Sequence, residues 1–299
     1  MGMESVGHKC EGFIEIDKFA VKSYRAIYDT EGEFYADDIR NVIPEQLPKD
    51  IDCFCGGFPC QAFSIAGARR GLEDTRGTLI YEMLRLAAVK KPRILFLENV
   101  GGLLNHDRGK TLTTIFRAIS ELGYVCEWQC INSKAYVPQS RYRIYIVGHL
   151  GEKPRQTIFP IERADGALNL EMIGRLDIDG MFDMERRIYS SIGAAPTLDT
   201  KSKCRVKIYY KNWSNKEPKI STNGTFTLTT KVADQQFAIV DGIIRRLTPL
   251  ECWRLQGFPD WAYERAAEVN SASQLYKQAG NSVTVPVIQA IAERVKAIE

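Results

Sequence analysis

Three short stretches carry side chains that could cooperate in covalent chemistry. Gly57-Phe58-Pro59-Cys60-Gln61 follows an apolar run, IDCFCGG, that reads as a short buried strand. Proline fixes a turn and glycine permits close backbone approach, so Cys60 is presented on a loop rather than within the strand. A thiol placed there is a nucleophile candidate; a packed, inert thiol is the alternative. Glu98-Asn99-Val100 ends the run RILFLENV, beside IDCFCGG if the two strands are parallel neighbours. Gln139-x-Arg141-x-Arg143 puts two arginines on the same face of a strand, because strand side chains alternate. A thiol, a carboxyl and an arginine converging at one edge of a sheet form a candidate site.

The elements that must position these groups alternate along residues 11–148. EGFIEI, IDCFCGG, RILFLENV, YVCEWQCIN and YRIYIVGHL read as strands, and DKFAVKSYRAIY, TLIYEMLRLAAVKK and KTLTTIFRAISELG as helices. Strand–helix alternation with short connections predicts an α/β domain with a mostly parallel sheet covered on both faces. Ligands of such sheets sit at the carboxyl ends of the strands, where GGFPCQ and ENV fall. Residues 151–243 are richer in Lys, Thr, Asn and Gly, with weak periodicity and short β-like pieces such as GTFTLTT and QQFAIV, and read as a second, irregular domain. Residues 244–299 return to helices in TPLECWRLQGF, SASQLYKQ and VTVPVIQAIAERVKAIE. Gly280-Asn281 is expected to break the last two, with Pro286 near the start of the final helix.

Composition narrows the function. A chain of 299 residues with 44% hydrophobic and 26% charged residues can bury a sizeable core. No apolar run approaches the roughly 20 residues that span a bilayer, and MGMESVGHKC lacks the pattern of a signal peptide, so no membrane partner and a cytoplasmic location are expected. The 8 cysteines do not read as a disulfide framework in so long a chain, and without paired C-x2-C units and with only 3 histidines no metal site is expected. A net charge of +3 identifies no partner, but its distribution is suggestive. Between Lys201 and Lys219 lie seven basic residues and one acid, Glu217, interleaved with Tyr209, Tyr210 and Trp213. Cations neutralise phosphates and aromatics stack, which suits nucleic acid; a solvated loop or edge hairpin is the alternative.

The blocks GFPCQAFS, RGTL, LENV, QSRYRIYIVG, RRLTPLECWRLQGFPD and QAGNSVTVPV, in this order, resemble the DNA cytosine-5 methyltransferase family over nearly the whole chain outside 151–240. The resemblance implies a Rossmann-like, S-adenosylmethionine-dependent methyltransferase fold. It divides the chain into a catalytic and cofactor-binding domain at 1–150, a target-recognition domain at 151–243 and a return segment at 244–299. It makes Cys60 the nucleophile, Glu98 the residue that bonds the cytosine ring nitrogen and amino group, Arg143 the holder of the base oxygen and Arg141 a neighbour supporting the site. Glu15 resembles the acid that grips the ribose hydroxyls, Ile16 an adenine-packing residue and Asp38 the adenine amino contact, followed by Ile39. Pro59, Leu79, Asn281 and Ser282 complete the implied cofactor contacts. The segment 62–76 is similar to a mobile loop that closes over a flipped base, so Gln61, Ser64 and Arg76 are implied DNA contacts. Lys203, Arg205 and Lys207 join them for their charge, and Thr227-Leu228 as a TLTT segment near the flipped base. The implied partner is double-stranded DNA, read by an otherwise monomeric protein.

The sequence departs from the family at its start. The family opens with a strand and a Gly-rich loop of the type F-x-G-x-G, and MGMESVGHKC reads instead as the tail of the helix that follows that loop. The first strand is thus expected to lie upstream, with a separate subunit or a degraded, non-catalytic DNA-binding relative as the other readings. Cofactor binding by these residues alone is expected to be poor. A transfer-RNA methyltransferase of the same lineage is the remaining alternative; its Cys-Phe-Thr triplet does not occur here.

Overall fold

A computed structural model of the chain describes residues 1–59, 79–151, 156–161 and 247–298, and the backbone of 172–175, 187–189, 207–210, 219–221, 236–240 and 243–246. Strand β1 (Gly12–Ile14) leads into helix α1 (Lys18–Ile27), which Asp17 caps by accepting from the Phe19 amide at 2.9 Å. Strand β2 (Phe34–Ala36) pairs in parallel with β1. Strand β3 (Cys53–Gly57) precedes helix α2 (Leu79–Lys90) and strand β4 (Ile94–Val100). Helix α3 (Lys110–Glu121) and strands β5 (Tyr124–Asn132) and β6 (Tyr142–Leu150) complete the first part of the chain.

The central sheet has the order β3-β4-β6-β5, and β1 and β2 form a two-stranded sheet of their own. Among the described residues β1 and β3 are each paired along one edge. The sheet is mixed, with three strands running one way and one reversed. β3 and β4 are parallel, but β6 runs antiparallel to both β4 and β5. The reason is the connection: residues 133–141 are too few for a parallel crossover, which takes about a dozen or more, so β5 and β6 fold back on each other.

Both faces of this sheet are covered, as the near-continuous apolar runs require. Along β4, Leu95 and Leu97 face α2 and α3 through Ile80, Met83, Leu84, Ile115 and Ile119. Ile94 and Phe96 point the other way, into a cluster with Tyr145 and Val147 of β6 and Val287, Ile288, Ile291 and Val295. Those last four belong to helix α7 (Val285–Ala297), with Pro286 in its first turn as expected. The chain therefore stacks helix, sheet and helix in three layers.

Before α7 come helices α4 (Pro249–Leu255), α5 (Asp260–Val269) and α6 (Ala272–Asn281). Thr248 and Glu251 form a capping box around Pro249 at the start of α4. Trp253, Leu255, Ala262, Ala266 and Leu275 pack these three helices together with Ile27 of α1. The expected break at Gly280-Asn281 falls one residue later, because α6 runs through Asn281. Gly257 ends α4 with φ +80°, where a Cβ would collide with the Pro286 ring. Gly257→Ala is therefore expected to cost about 2 kcal/mol, from left-handed strain and a displaced α7. Chemical denaturation checks this, and an unchanged midpoint would contradict it.

Within 151–243 the structure holds strands β7 (Met172–Arg175) and β8 (Arg187–Tyr189), which form a hairpin. Strands β9 (Lys207–Tyr210), β10 (Lys219–Ser221), β11 (Gln236–Val240) and β12 (Ile243–Arg246) form a sheet in the order β10-β9-β11-β12, antiparallel throughout.

Candidate active site

The polar groups meet where β3 and β4 end side by side. The register sets Gly57 against Glu98, so the chain leaves β3 next to that carboxyl. A Cβ on Gly57 would stand 3.1 Å from Glu98 Oε2, which makes glycine the residue that lets the strand end approach the acid. Glu98 Oε1 pairs with Arg143 Nε at 2.8 Å, and the two side chains are 19% and 14% exposed. Arg143 also donates from Nη1 to the Tyr142 carbonyl at 2.8 Å. Burial pushes the Glu98 carboxyl above its ordinary range, while Arg143 and Arg141 pull it back. A carboxyl held in that balance can carry a proton to a ring nitrogen while a guanidinium beside it holds an oxygen.

Asn99 was part of the predicted cluster without a role, and the structure supplies one. It is buried on the opposite face from Glu98, where its Nδ2 donates to the Phe58 carbonyl at 2.7 Å and its Oδ1 accepts from the Val100 amide at 2.8 Å. It thus ties the end of β4 to the residue two before Cys60. The signal in sequence was an amide in an otherwise apolar strand, which must find partners when buried. Phe58 is buried and Pro59 exposed, so the loop leaves the core at that point. Cys60, Gln61, Ser64 and Arg76 lie outside the described residues, as do Lys203, Arg205, Thr227 and Leu228; Lys207 falls in β9, described as backbone.

Cys126, Cys130 and Cys252 make poor nucleophiles. Burial pushes Cys126 up to about 11 and Cys252 up to about 12, and raises Cys130 as well. No group of three or more His, Cys, Asp or Glu that could hold a metal ion occurs among the described residues.

Arg141 does not share a strand with Arg143, a correction to the expected placement. It precedes β6, is 4% exposed, and donates from Nη1 to the Gly280 carbonyl at 3.2 Å and from Nη2 to the Ser282 carbonyl at 2.8 Å. Ser282 caps α6, and Asn281 is exposed beside it. Gln256, fully buried and not anticipated, holds the Ala279 carbonyl at 2.9 Å and accepts from Thr284 Oγ1 at 3.0 Å, so this loop is fixed from two sides.

The remaining predicted residues gather at the ends of β1 and β2. Glu15 follows β1 and accepts from the Asp17 amide at 2.7 Å, while its own amide donates to the Ala36 carbonyl of β2 at 3.1 Å. Ile16 is 69% exposed, unusual for so large an apolar side chain. Asp38, two residues past β2, caps the following turn through the Arg40 amide at 3.0 Å, and Arg40 holds its carboxyl down to about 2. Ile39 packs toward α2, whose first residue, Leu79, is partly exposed.

Comparison with known proteins follows the same lines. The family described as C-5 cytosine-specific DNA methylase matches residues 1–297. Type II methyltransferase M.Bsp6I of a Bacillus species (strain RFL6) is 38% identical over 292 residues, covering 94% of this chain and 89% of its own. Type II methyltransferase M.HhaI of Haemophilus parahaemolyticus is 33% identical over 324 residues, covering 98% of this chain and 89% of its own. The crystal structure of the S. pombe Dnmt2 methyltransferase superposes with a TM-score of 0.58 at 15% identity, covering 98% of this chain and 91% of that one, which supports the shared fold.

Proposed function

The chain belongs to the C-5 cytosine-specific DNA methylase family, and from that premise we propose that it methylates a cytosine flipped out of duplex DNA through a covalent adduct with Cys60. The observation that carries this is the Glu98–Arg143 pair, 2.8 Å apart, in register with Gly57 three residues before that cysteine.

Carbon 5 of cytosine is a poor nucleophile until a thiolate adds to carbon 6 and makes the ring an enamine. Cys60 forms that bond. Glu98 bonds the ring nitrogen and the exocyclic amino group, so that charge is neutralised as the adduct forms, and Arg143 holds the ring oxygen. Loss of the carbon-5 proton to a base and expulsion of the thiol then restore the aromatic ring. S-adenosylmethionine supplies the electrophilic methyl group. The residues at the ends of β1 and β2 fit its nucleoside half: the Glu15 carboxylate suits a ribose diol, and exposed Ile16 offers an apolar surface to adenine, with Asp38 nearby. Pro59 and Leu79 are assigned to further cofactor contacts, and Asn281 and Ser282 to the loop that closes over its methionine end. Ser64 and Arg76 are assigned to the closing loop, and Gln61 to a DNA contact just before it.

Residues 151–243 are assigned to sequence recognition, with Thr227 and Leu228 near the flipped base and Lys203, Arg205 and Lys207 on phosphates. Lys207→Ala is expected to weaken binding to all duplexes alike and to lower the slope of log affinity against log salt by roughly one. An unchanged slope in a salt titration would remove Lys207 from the interface. To test the proposed substrate, unmethylated duplex DNA and unmodified transfer RNA compete for methyl-labelled S-adenosylmethionine. Label is expected in the DNA; label in the transfer RNA would overturn the assignment.

A further inference from the structure

Arg141 connects two regions that the proposed function treats separately. Its backbone is fixed within the β5–β6 turn: its amide donates to Asn132 Oδ1 at 3.0 Å and its carbonyl accepts from the Ser133 amide at 3.0 Å. Its guanidinium crosses to the C-terminal end of α6, onto the carbonyls of Gly280 and Ser282. A helix leaves acceptors unsatisfied at that end and favours a cation there. Burial pushes the guanidinium down to about 10, Arg143 adds to the effect, and Glu98 offsets it, so the group stays charged at neutral pH.

The same helix also reaches the other region. Gln278 donates to the Phe19 carbonyl at 3.0 Å and accepts from Ser23 Oγ at 2.8 Å, and Lys277 bonds Asp17 Oδ2 at 2.6 Å. The Asp17 amide in turn donates to Glu15 Oε1. A continuous set of hydrogen bonds therefore runs from Glu15 through α6 to Arg141, two residues before the arginine that holds Glu98.

We propose that Arg141 is a positioning residue that couples the cofactor region, at Glu15 and Asn281–Ser282, to the Glu98–Arg143 base pocket, so that cofactor and target cytosine bind cooperatively. This rests on the function proposed above. A ligand that bears on the Asn281–Ser282 loop also bears on the two carbonyls that hold Arg141, and through it on the start of β6. The coupling must act equally in both directions. It needs the two-pronged guanidinium, because an ammonium presents a single point of charge and cannot span both carbonyls in one plane.

The test uses S-adenosylhomocysteine, which cannot react, and a duplex carrying the sequence that the protein methylates. Calorimetry gives the affinity for S-adenosylhomocysteine without the duplex and with it at saturation. In the unaltered protein the duplex is expected to tighten cofactor binding roughly five-fold or more. In Arg141→Lys that gain is expected to fall below about two-fold. A merely structural role would weaken both measurements together and leave their ratio intact. If Arg141→Lys proves unstable, Arg141→Gln is measured in the same way, and the KM for S-adenosylmethionine at low and saturating DNA gives the same ratio kinetically. A ratio that survives substitution would overturn this inference alone. No binding of S-adenosylhomocysteine by the unaltered protein, even with a strand and Gly-rich loop of the family's opening type supplied as a separate peptide, would overturn the proposed function with it.

Discussion

Cys60→Ser is expected to abolish methylation and covalent capture together. A serine hydroxyl at neutral pH is a far weaker nucleophile than a thiol, and the site offers no adjacent histidine among the described residues to activate it. Duplex DNA carrying 5-fluorocytosine discriminates sharply, because the fluorine cannot leave as the proton does and the adduct persists. The unaltered protein is expected to give a complex with this DNA that survives denaturing electrophoresis, and Cys60→Ser none. Binding of ordinary duplex should change little, since phosphate contacts dominate affinity. The thiols of half-buried Cys126 and buried Cys252, pushed up to about 11 and about 12, are not expected to substitute. A trapped complex in Cys60→Ser would place the nucleophile elsewhere.

Glu98→Gln should produce the second-largest effect. The amide keeps the shape and can still bond the base, but it cannot deliver a proton as negative charge develops on the ring. Loss of such a proton donor costs roughly 10²–10³-fold in kcat. KM for S-adenosylmethionine should change little, because Glu98 faces Arg143 and not the ends of β1 and β2. The pH profile should change too. Burial raises the Glu98 carboxyl, so its protonated form extends to higher pH than in an exposed glutamate and is lost as pH rises through the raised value. A dependence of kcat on that loss should appear in the unaltered protein and be absent in Glu98→Gln. A variant with kcat within about three-fold of the unaltered protein would show that Glu98 is no acid in this reaction.

Much of the catalytic layer was legible because its strands are buried on both faces. RILFLENV and YRIYIVGHL are apolar almost throughout, and YVCEWQCIN matches β5 in full. The parallel pairing of β3 with β4, needed to bring Glu98 to the Cys60 loop, follows from the connection through α2. What was not legible is instructive. β2 is three residues long and too short for alternation to register. α5 buries only Ala262 and Ala266, so DWAYERAAEV shows no broad apolar stripe. Gly280 looked like a helix breaker but sits buried inside α6, and its carbonyl is one of the two that Arg141 holds. Arginine spacing suggested a shared strand face, whereas Arg141 lies just before β6 and Arg143 within it. Spacing alone carries no information about a partner 139 residues away in sequence.

Methyl transfer to carbon 5 of cytosine in duplex DNA leaves a product that can be identified directly. The most direct measurement incubates unmethylated duplex DNA with the protein and deuterium-methyl S-adenosylmethionine, digests the DNA to nucleosides and identifies the labelled product by mass spectrometry. Labelled 5-methyldeoxycytidine is expected, and no other labelled nucleoside. Label on the exocyclic nitrogen of cytosine or adenine would contradict the proposed function, because neither product requires a thiol beside the carboxyl and the arginine that the sheet brings together.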